Sequence, residues 1–319
     1  MFKHSAIAAA ALFAAVPAFA AQYPERPIRM IVPFAPGGGS DISARTMSEE
    51  LGRALGTTIV IDNRPGAGSV LGTDLATQAT PDGYTTLLGN ISMAFNAALY
   101  KKLPYNALRD LAPISLATEQ PNIIVTHPSL PAKNLQEFTA LARKQPGKLT
   151  YASAGLGSGT HLAMEMLMMS QKISLVHVPY KGTGPAVAAL LGNETNAFMS
   201  TFASALPHVK ANRLHAIAVT TRKRADTLPD VPTVEQSGVP GFEYATWYGV
   251  LAPAATPKPI IEKLNKAIVG VLSTPAMQER YAKQGVTATP TTIAEFARLF
   301  KNETEKWAKV VREAKIPQQ

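Results

Sequence analysis

Few residues in this chain combine type and spacing in a way that suggests chemistry. The densest group is Gly37-Gly38-Gly39-Ser40-Asp41, separated from the apolar run Ile28 to Phe34 only by Ala35-Pro36. Three glycines let backbone amides turn toward one point, and Ser40 and Asp41 are residue types that cap helix starts. Such a loop at a helix N-terminus suits an anion. It contains no Lys or Arg, so amides, hydroxyls and the helix end would have to hold the charge. The same design recurs as Ser153-Ala-Gly-Leu-Gly157-Ser158-Gly-Thr160-His161, and a third time as Tyr180-Lys181-Gly182-Thr183-Gly184. Two such loops on two domains can face each other across a cleft.

Individual side chains leave alternatives open. Asp41 fits a general base, or an N-cap and loop brace. His161 fits a base, or a hydrogen-bonding residue behind the loop. Lys181 fits a contact to the far end of an anionic ligand, or a solvent-exposed cation. The nucleotide loops Gly-x-Gly-x-x-Gly and Walker A are absent in complete form, as is the hydrolase motif Gly-x-Ser-x-Gly. The six histidines are scattered, without metal-ligand spacing. No catalytic set, metal or cofactor is expected.

The elements that must position these loops are legible. Apolar strands at Ile28–Phe34, Thr57–Ile61 and Tyr84–Leu88 alternate with helices beginning near Ser40 and Val70, the pattern of a parallel α/β domain. Gly89-Asn90-Ile91-Ser92 reads as a polar loop. Leu111–Leu116 and Ile123–Thr126 read as two strands flanking Glu119-Gln120-Pro121-Asn122, where the chain crosses into a second domain. There, strands at 148–153, 175–179, 197–201 and 214–220 alternate with helices at 135–144, 161–168, 186–191 and 203–210. Phe242–Leu251 returns to the first domain. Helices at 257–272, 275–284 and 292–314 complete the chain, the last opened by the capping box Thr292-Ile-Ala-Glu295.

At 319 residues, 46% hydrophobic and 17% charged, the chain can bury a sizeable core. Lys3 and His4 precede the apolar run Ala6–Val16, and Ala18-Phe19-Ala20 fits a cleavage site, so residues 1–20 read as a secretory signal peptide cut after Ala20. No later run is apolar and long enough to span a bilayer, and the expected product is soluble and periplasmic. The chain has no cysteine, which excludes disulfides and thiolate chemistry. Its net charge of +9 is scattered, which argues against nucleic acid and for a field that favours small anions.

The ordered set Val32-Pro33-Phe34-x-Pro36-Gly37-Gly38-x-x-Asp41, Asn63-Arg64-Pro65-Gly66-Ala67-Gly68, Pro81-Asp82-Gly83-Tyr84-Thr85, Tyr151-x-Ser153-x-Gly155-x-Gly157-Ser158-x-x-His161-Leu162, Pro179-Tyr180-Lys181-Gly182 and Trp247-Tyr248-Gly249 resembles the Bug family. These are the periplasmic solute-binding proteins of tripartite tricarboxylate transporters. The matches run over nearly the whole mature chain. The resemblance implies a type II periplasmic-binding (Venus flytrap) fold: two α/β lobes, a central cleft and crossover strands as hinge. Lobe 1 would be residues 21–120 plus 243–319, and lobe 2 residues 121–242. A ligand carboxylate would sit between Phe34, Gly38, Gly39, Ser40 and Asp41 on one side and Ser153, Gly157, Ser158, Thr160 and His161 on the other. Asn90, Ser92, Tyr180, Lys181, Thr201 and Phe202 would meet the rest, with Met93 and Phe95 as an apolar, aromatic-tolerant wall.

The expected function is capture of an organic di- or tricarboxylate, aliphatic or aromatic such as a terephthalate-like acid, by a monomeric receptor that hands it to a two-component membrane permease. An exported α/β enzyme acting on a carboxylate, with Asp41 or His161 as base, is the competing class, and a signalling ectodomain shares the fold. If amides hold the anion, enlarging Gly38 or Gly157 should damage binding more than removing Lys181.

Overall fold

A computed structural model describes residues 23–313; the expected leader and Ala314, the last residue of the expected final helix, lie outside them. The chain begins with β1 (Ile28–Val32), α1 (Gly39–Leu55), β2 (Ile59–Asn63), a 3-10 turn at Ala67–Ser69, α2 (Val70–Thr77), β3 (Thr85–Asn90), α3 (Ser92–Leu99) and α4 (Ala107–Asp110). A long strand, β4 (Leu111–Thr126), leads to α5 (Leu135–Lys144), β5 (Thr150–Ser153), α6 (Gly159–Gln171), β6 (Val176–Pro179), α7 (Thr183–Leu191), β7 (Ala197–Thr201), α8 (Phe202–Lys210) and β8 (His215–Val219). Strand β9 (Ala245–Pro253), α9 (Lys258–Leu272), α10 (Pro275–Ala282), β10 (Thr287–Ala288) and α11 (Ile293–Glu313) follow.

The strand order is β2-β1-β3-β9-β4-β7-β5-β6, with β8 and β10 also pairing β4. Strands β2, β1 and β3 are parallel, as are β7, β5 and β6, while β9 and β4 join the two groups by antiparallel pairing. Two α/β lobes thus share one long strand. β4 pairs β9 from Leu111 to Pro121, then β7 from Asn122 to Thr126. Pro121 marks the change, because it has no N–H for a ladder.

The expected pair of strands at 111–126 is therefore one strand. Polar Thr118, Glu119 and Gln120 interrupt the apolar pattern, yet remain paired to β9. Two of them have tertiary partners: Thr118 Oγ1 lies 2.9 Å from Ser43 Oγ, and Gln120 Oε1 accepts the Ala203 N–H at 2.9 Å. Ser40 and Asp41 are likewise not N-caps. α1 starts at Gly39 after an extended Gly38, without a side-chain cap.

The segment after β3 is a helix and not a loop. α3 buries Met93 and Phe95, with Met93 packed toward Gly89 and Phe95 edge-on to Trp307 at 4.6 Å. Neither side chain lines the cleft, so the apolar wall expected from them is not formed. α11 places Phe296, Phe300, Trp307 and Val311 on one buried stripe, after the capping box. In that box Glu295 N–H donates to Thr292 Oγ1 at 3.2 Å, and Thr292 N–H donates to Glu295 Oε2 at 2.9 Å. Among the described residues no helix is long and apolar enough to cross a membrane.

Candidate functional site

The first two glycine loops are built alike. Gly37 (φ 79°) and Gly157 (φ 74°) both take the left-handed conformation, immediately before an N-cap, and Gly39 and Gly159 are the first helical residues of α1 and α6. At both, the residue third in the helix turns its side chain back onto the left-handed glycine. Asp41 Oδ2 accepts the Gly37 N–H at 3.0 Å, and His161 Nδ1 accepts the Gly157 N–H at 3.4 Å. Both first helical residues are crowded by buried polar groups. A Cβ on Gly39 would stand 2.6 Å from Gln120 Nε2 and Tyr248 Oη and 2.9 Å from Thr201 Oγ1; one on Gly159 would fall on Tyr244 Oη.

Between these helix starts lies a narrow cleft. Of the residues expected there, it is lined by Phe34, Ser40, Asn90, Ser92, Ser158, Thr160 and Thr201. Ile91, Ala154, Gly159, Thr183, Thr246 and Tyr248 complete the lining. None of these side chains is charged. The buried Asn90 side chain accepts the Ser92 N–H at 2.8 Å through Oδ1, while its Nδ2 donor has no protein partner. An unpaired donor in a buried site is costly unless something accepts from it. With the uncapped start of α1 it makes a surface that favours an acceptor-rich anion.

The other expected residues lie outside the lining. Gly38, Gly39 and Gly157 shape the loops. Ser153 Oγ accepts the Gly155 N–H at 3.0 Å and lies 2.6 Å from His177 Nε2, behind the loop. Phe202 is fully buried in the second lobe's core. Tyr180 Oη reaches Glu194 at 3.5 Å, and the exposed Lys181 engages the first lobe through its carbonyl, which accepts the Ala35 N–H at 3.0 Å. The hinge-strand residues Gln120, Thr246 and Tyr248 were not expected at the site. Their signal in the sequence was polarity inside otherwise apolar strands, and for Tyr248 also its place in the motif Trp247-Tyr248-Gly249.

Residues 43–316 match the model of the tripartite tricarboxylate transporter family receptor. Protein BugT of Bordetella pertussis is 38% identical over 301 residues, covering 94% of this chain and 92% of its own. The chain belongs to the tripartite tricarboxylate transporter receptor family. Among solved structures, periplasmic binding protein BugD superposes with a TM-score of 0.91 at 35% identity, covering 93% of this chain and 100% of its own. R. palustris Rpa4515 with adipate gives 0.90 at 29% identity over 93% and 100% of the two chains, and MatC from Rhodopseudomonas palustris with bound malate gives 0.87 at 32% over 91% and 100%. These homologues are binding proteins, and this Bug-type receptor is not an enzyme.

The braces of the receptor differ in charge. Burial pushes the Asp41 carboxyl up, but hydrogen bonds from Arg45, Gly37 and Asn63 outweigh it and leave the group below its ordinary value. Asp41 is thus an ionised brace, held by Arg45 Nε at 2.9 Å and Asn63 Nδ2 at 3.0 Å. His161 is a neutral one. Burial, with a smaller push from His177, holds it down at about 3, and burial holds His177 at about 4. The two rings stack at 4.3 Å, His177 stacks on Tyr151 at 4.9 Å, and the Tyr151 hydroxyl donates to Glu165 at 2.5 Å, which lies 3.8 Å from His161 Nε2.

An unfolded chain protonates both histidines near pH 6.5. Below that value the unfolded state binds more protons, so the stability contributed by the neutral pair is complete above about pH 6.5 and is lost as pH falls toward 4 and then 3. The melting temperature should be flat above about pH 7 and fall between about pH 6 and 4. A His161→Gln, His177→Gln double variant should fall less steeply; an unaltered slope would remove these rings from the cause.

Proposed function

We propose that this receptor captures an aliphatic dicarboxylate in the periplasm and presents it, as a monomer, to a two-component membrane permease. The observation that carries the reading is the pair of like-built helix starts, α1 and α6, facing one uncharged cleft rich in amides and hydroxyls. Helix-end amides can hold a carboxylate without a cation. The ligands named for the two R. palustris structures, adipate and malate, are both diacids and support the same class here. Met93 and Phe95 are buried in the core, and Phe34 and Ile91 are the larger apolar side chains left to the cleft, which favours a slender aliphatic chain over an aromatic ring. The lobe boundaries we assign are 21–120 plus 243–319 and 121–242, with the leader cut after Ala20.

A thermal-shift screen of aliphatic diacids from three to eight carbons, citrate, terephthalate and matching monoacids tests this. A diacid at about 100 times its Kd should add roughly 2.7 kcal/mol to stability. A shift with sugars or cationic amino acids but with no carboxylate would overturn the reading.

A further inference from the structure

Two glycines that do not line the cleft sit where the lobes meet backbone to backbone. Gly184, near the start of α7, lies against the loop that leads into α1. A Cβ there would fall on the Pro36 carbonyl oxygen and stand 3.2 Å from the Pro36 carbonyl carbon and 3.3 Å from that of Gly37. Beside it the Ala35 N–H donates to the Lys181 carbonyl, and a Cβ on Gly182 would stand 2.9 Å from the Ala35 nitrogen. At a second seam a Cβ on Gly68 would fall on the Leu156 carbonyl oxygen and stand 3.0 Å from Gly157 C and Ser158 N. The Tyr100 hydroxyl lies 3.3 Å from that same Leu156 oxygen.

From these contacts we infer that Gly184 and Gly68 are the closing contacts of the receptor. They are positioning residues that set how far the lobes come together, and through that the retention of ligand. The inference rests on the proposed reading of a receptor that closes around its ligand. Backbone atoms cannot swing aside as a side-chain end can, so a single methyl at either seam holds the lobes apart. Hydrogen bonds weaken steeply beyond their normal length, so donors from two lobes cannot both reach one carboxylate across a widened cleft. Preventing closure leaves each anion loop with half of its partners.

Gly184 provides the clean test, because its backbone is ordinary helix and not left-handed. Alanine suits a helix better than glycine, so within its own lobe the substitution is neutral or favourable. Gly68, at φ 57°, would be strained by any side chain and is the poorer choice. The full mature chain carrying Gly184→Ala is compared with the unaltered protein by ligand-free melting, by small-angle scattering with and without adipate and malate, and by calorimetric titration of both acids. The expected result is an unchanged or higher ligand-free melting temperature, no contraction with diacid, and affinity at least tenfold weaker.

Contraction and affinity equal to those of the unaltered protein would overturn the inference while leaving the functional reading intact. So would a markedly lower ligand-free melting temperature, which would place the role of Gly184 inside its own lobe. If the unaltered protein neither binds nor contracts with any diacid of the thermal-shift screen, the functional reading falls and the inference falls with it.

Discussion

Gly39→Ala should lower diacid affinity roughly a hundredfold or more, while Lys181→Ala changes it less than tenfold. The methyl would enter a space already held by Gln120 Nε2, Tyr248 Oη and Thr201 Oγ1 at 2.6 to 2.9 Å. These groups come from β4, β9 and the end of β7, so the new methyl pushes on both lobes at once. It displaces the α1 amides from any carboxylate bound there, and each charge-assisted hydrogen bond lost is worth about 1.5–3 kcal/mol. Two such losses amount to a factor of about 10² to 10⁴. Lys181 is exposed and absent from the lining, and a solvated charge of that kind contributes on the order of 1 kcal/mol or less.

The neighbouring Gly38 should tolerate alanine better than Gly39 does. Its φ is −87°, and the nearest atom to an added Cβ is Thr183 Cβ at 3.3 Å. Calorimetric titration of Gly38→Ala, Gly39→Ala and Lys181→Ala ranks the three. A large loss confined to Lys181→Ala would mean that a cation, and not the helix starts, holds the ligand.

Trp307→Ala should cost about 3–5 kcal/mol of stability, the range for removing a large buried aromatic side chain. Trp307 is 4% exposed, and its ring meets Phe95 edge-on at 4.6 Å and Tyr244 at 6.0 Å. Phe95 belongs to α3, whose first residue, Ser92, accepts the Gly159 N–H at 3.1 Å through its hydroxyl; the Tyr244 hydroxyl is aimed at Gly159 itself. One indole from the last helix thus supports two elements that bear on the second anion loop. Urea unfolding should show a lower midpoint at unchanged slope, and diacid affinity should drop in the folded variant. A loss below about 1 kcal/mol would mean that the cavity collapses and that α11 is not needed to hold the site.

Local chemistry made much of this receptor legible. Glycines after a buried strand require a turn, and periodic apolar residues require a helix. From those rules the starts of α1 and α6, the α/β alternation, α5 and the capping box of α11 follow without coordinates, as does the absence of a nucleotide loop, hydrolase motif or thiolate site. Ser40, Ser158 and Thr160, to which the family resemblance pointed, lie within their own loops and helix starts and line the cleft.

The rest was decided by contacts between distant segments. Asp41 and His161 have the residue types of a base, yet both side chains turn back four residues to hold a left-handed glycine, an orientation that spacing alone leaves open. Met93 and Phe95 go to the core because α3 forms there and α11, some two hundred residues later, supplies Trp307. Gln120, Thr246 and Tyr248 interrupt apolar strands, which by sequence weakens those strands. Only where β4 and β9 cross between the lobes do their polar ends gather around Gly39 and the cleft. A side chain's type and its local backbone are set within a few residues, whereas what it faces depends on which distant strand or helix packs against it.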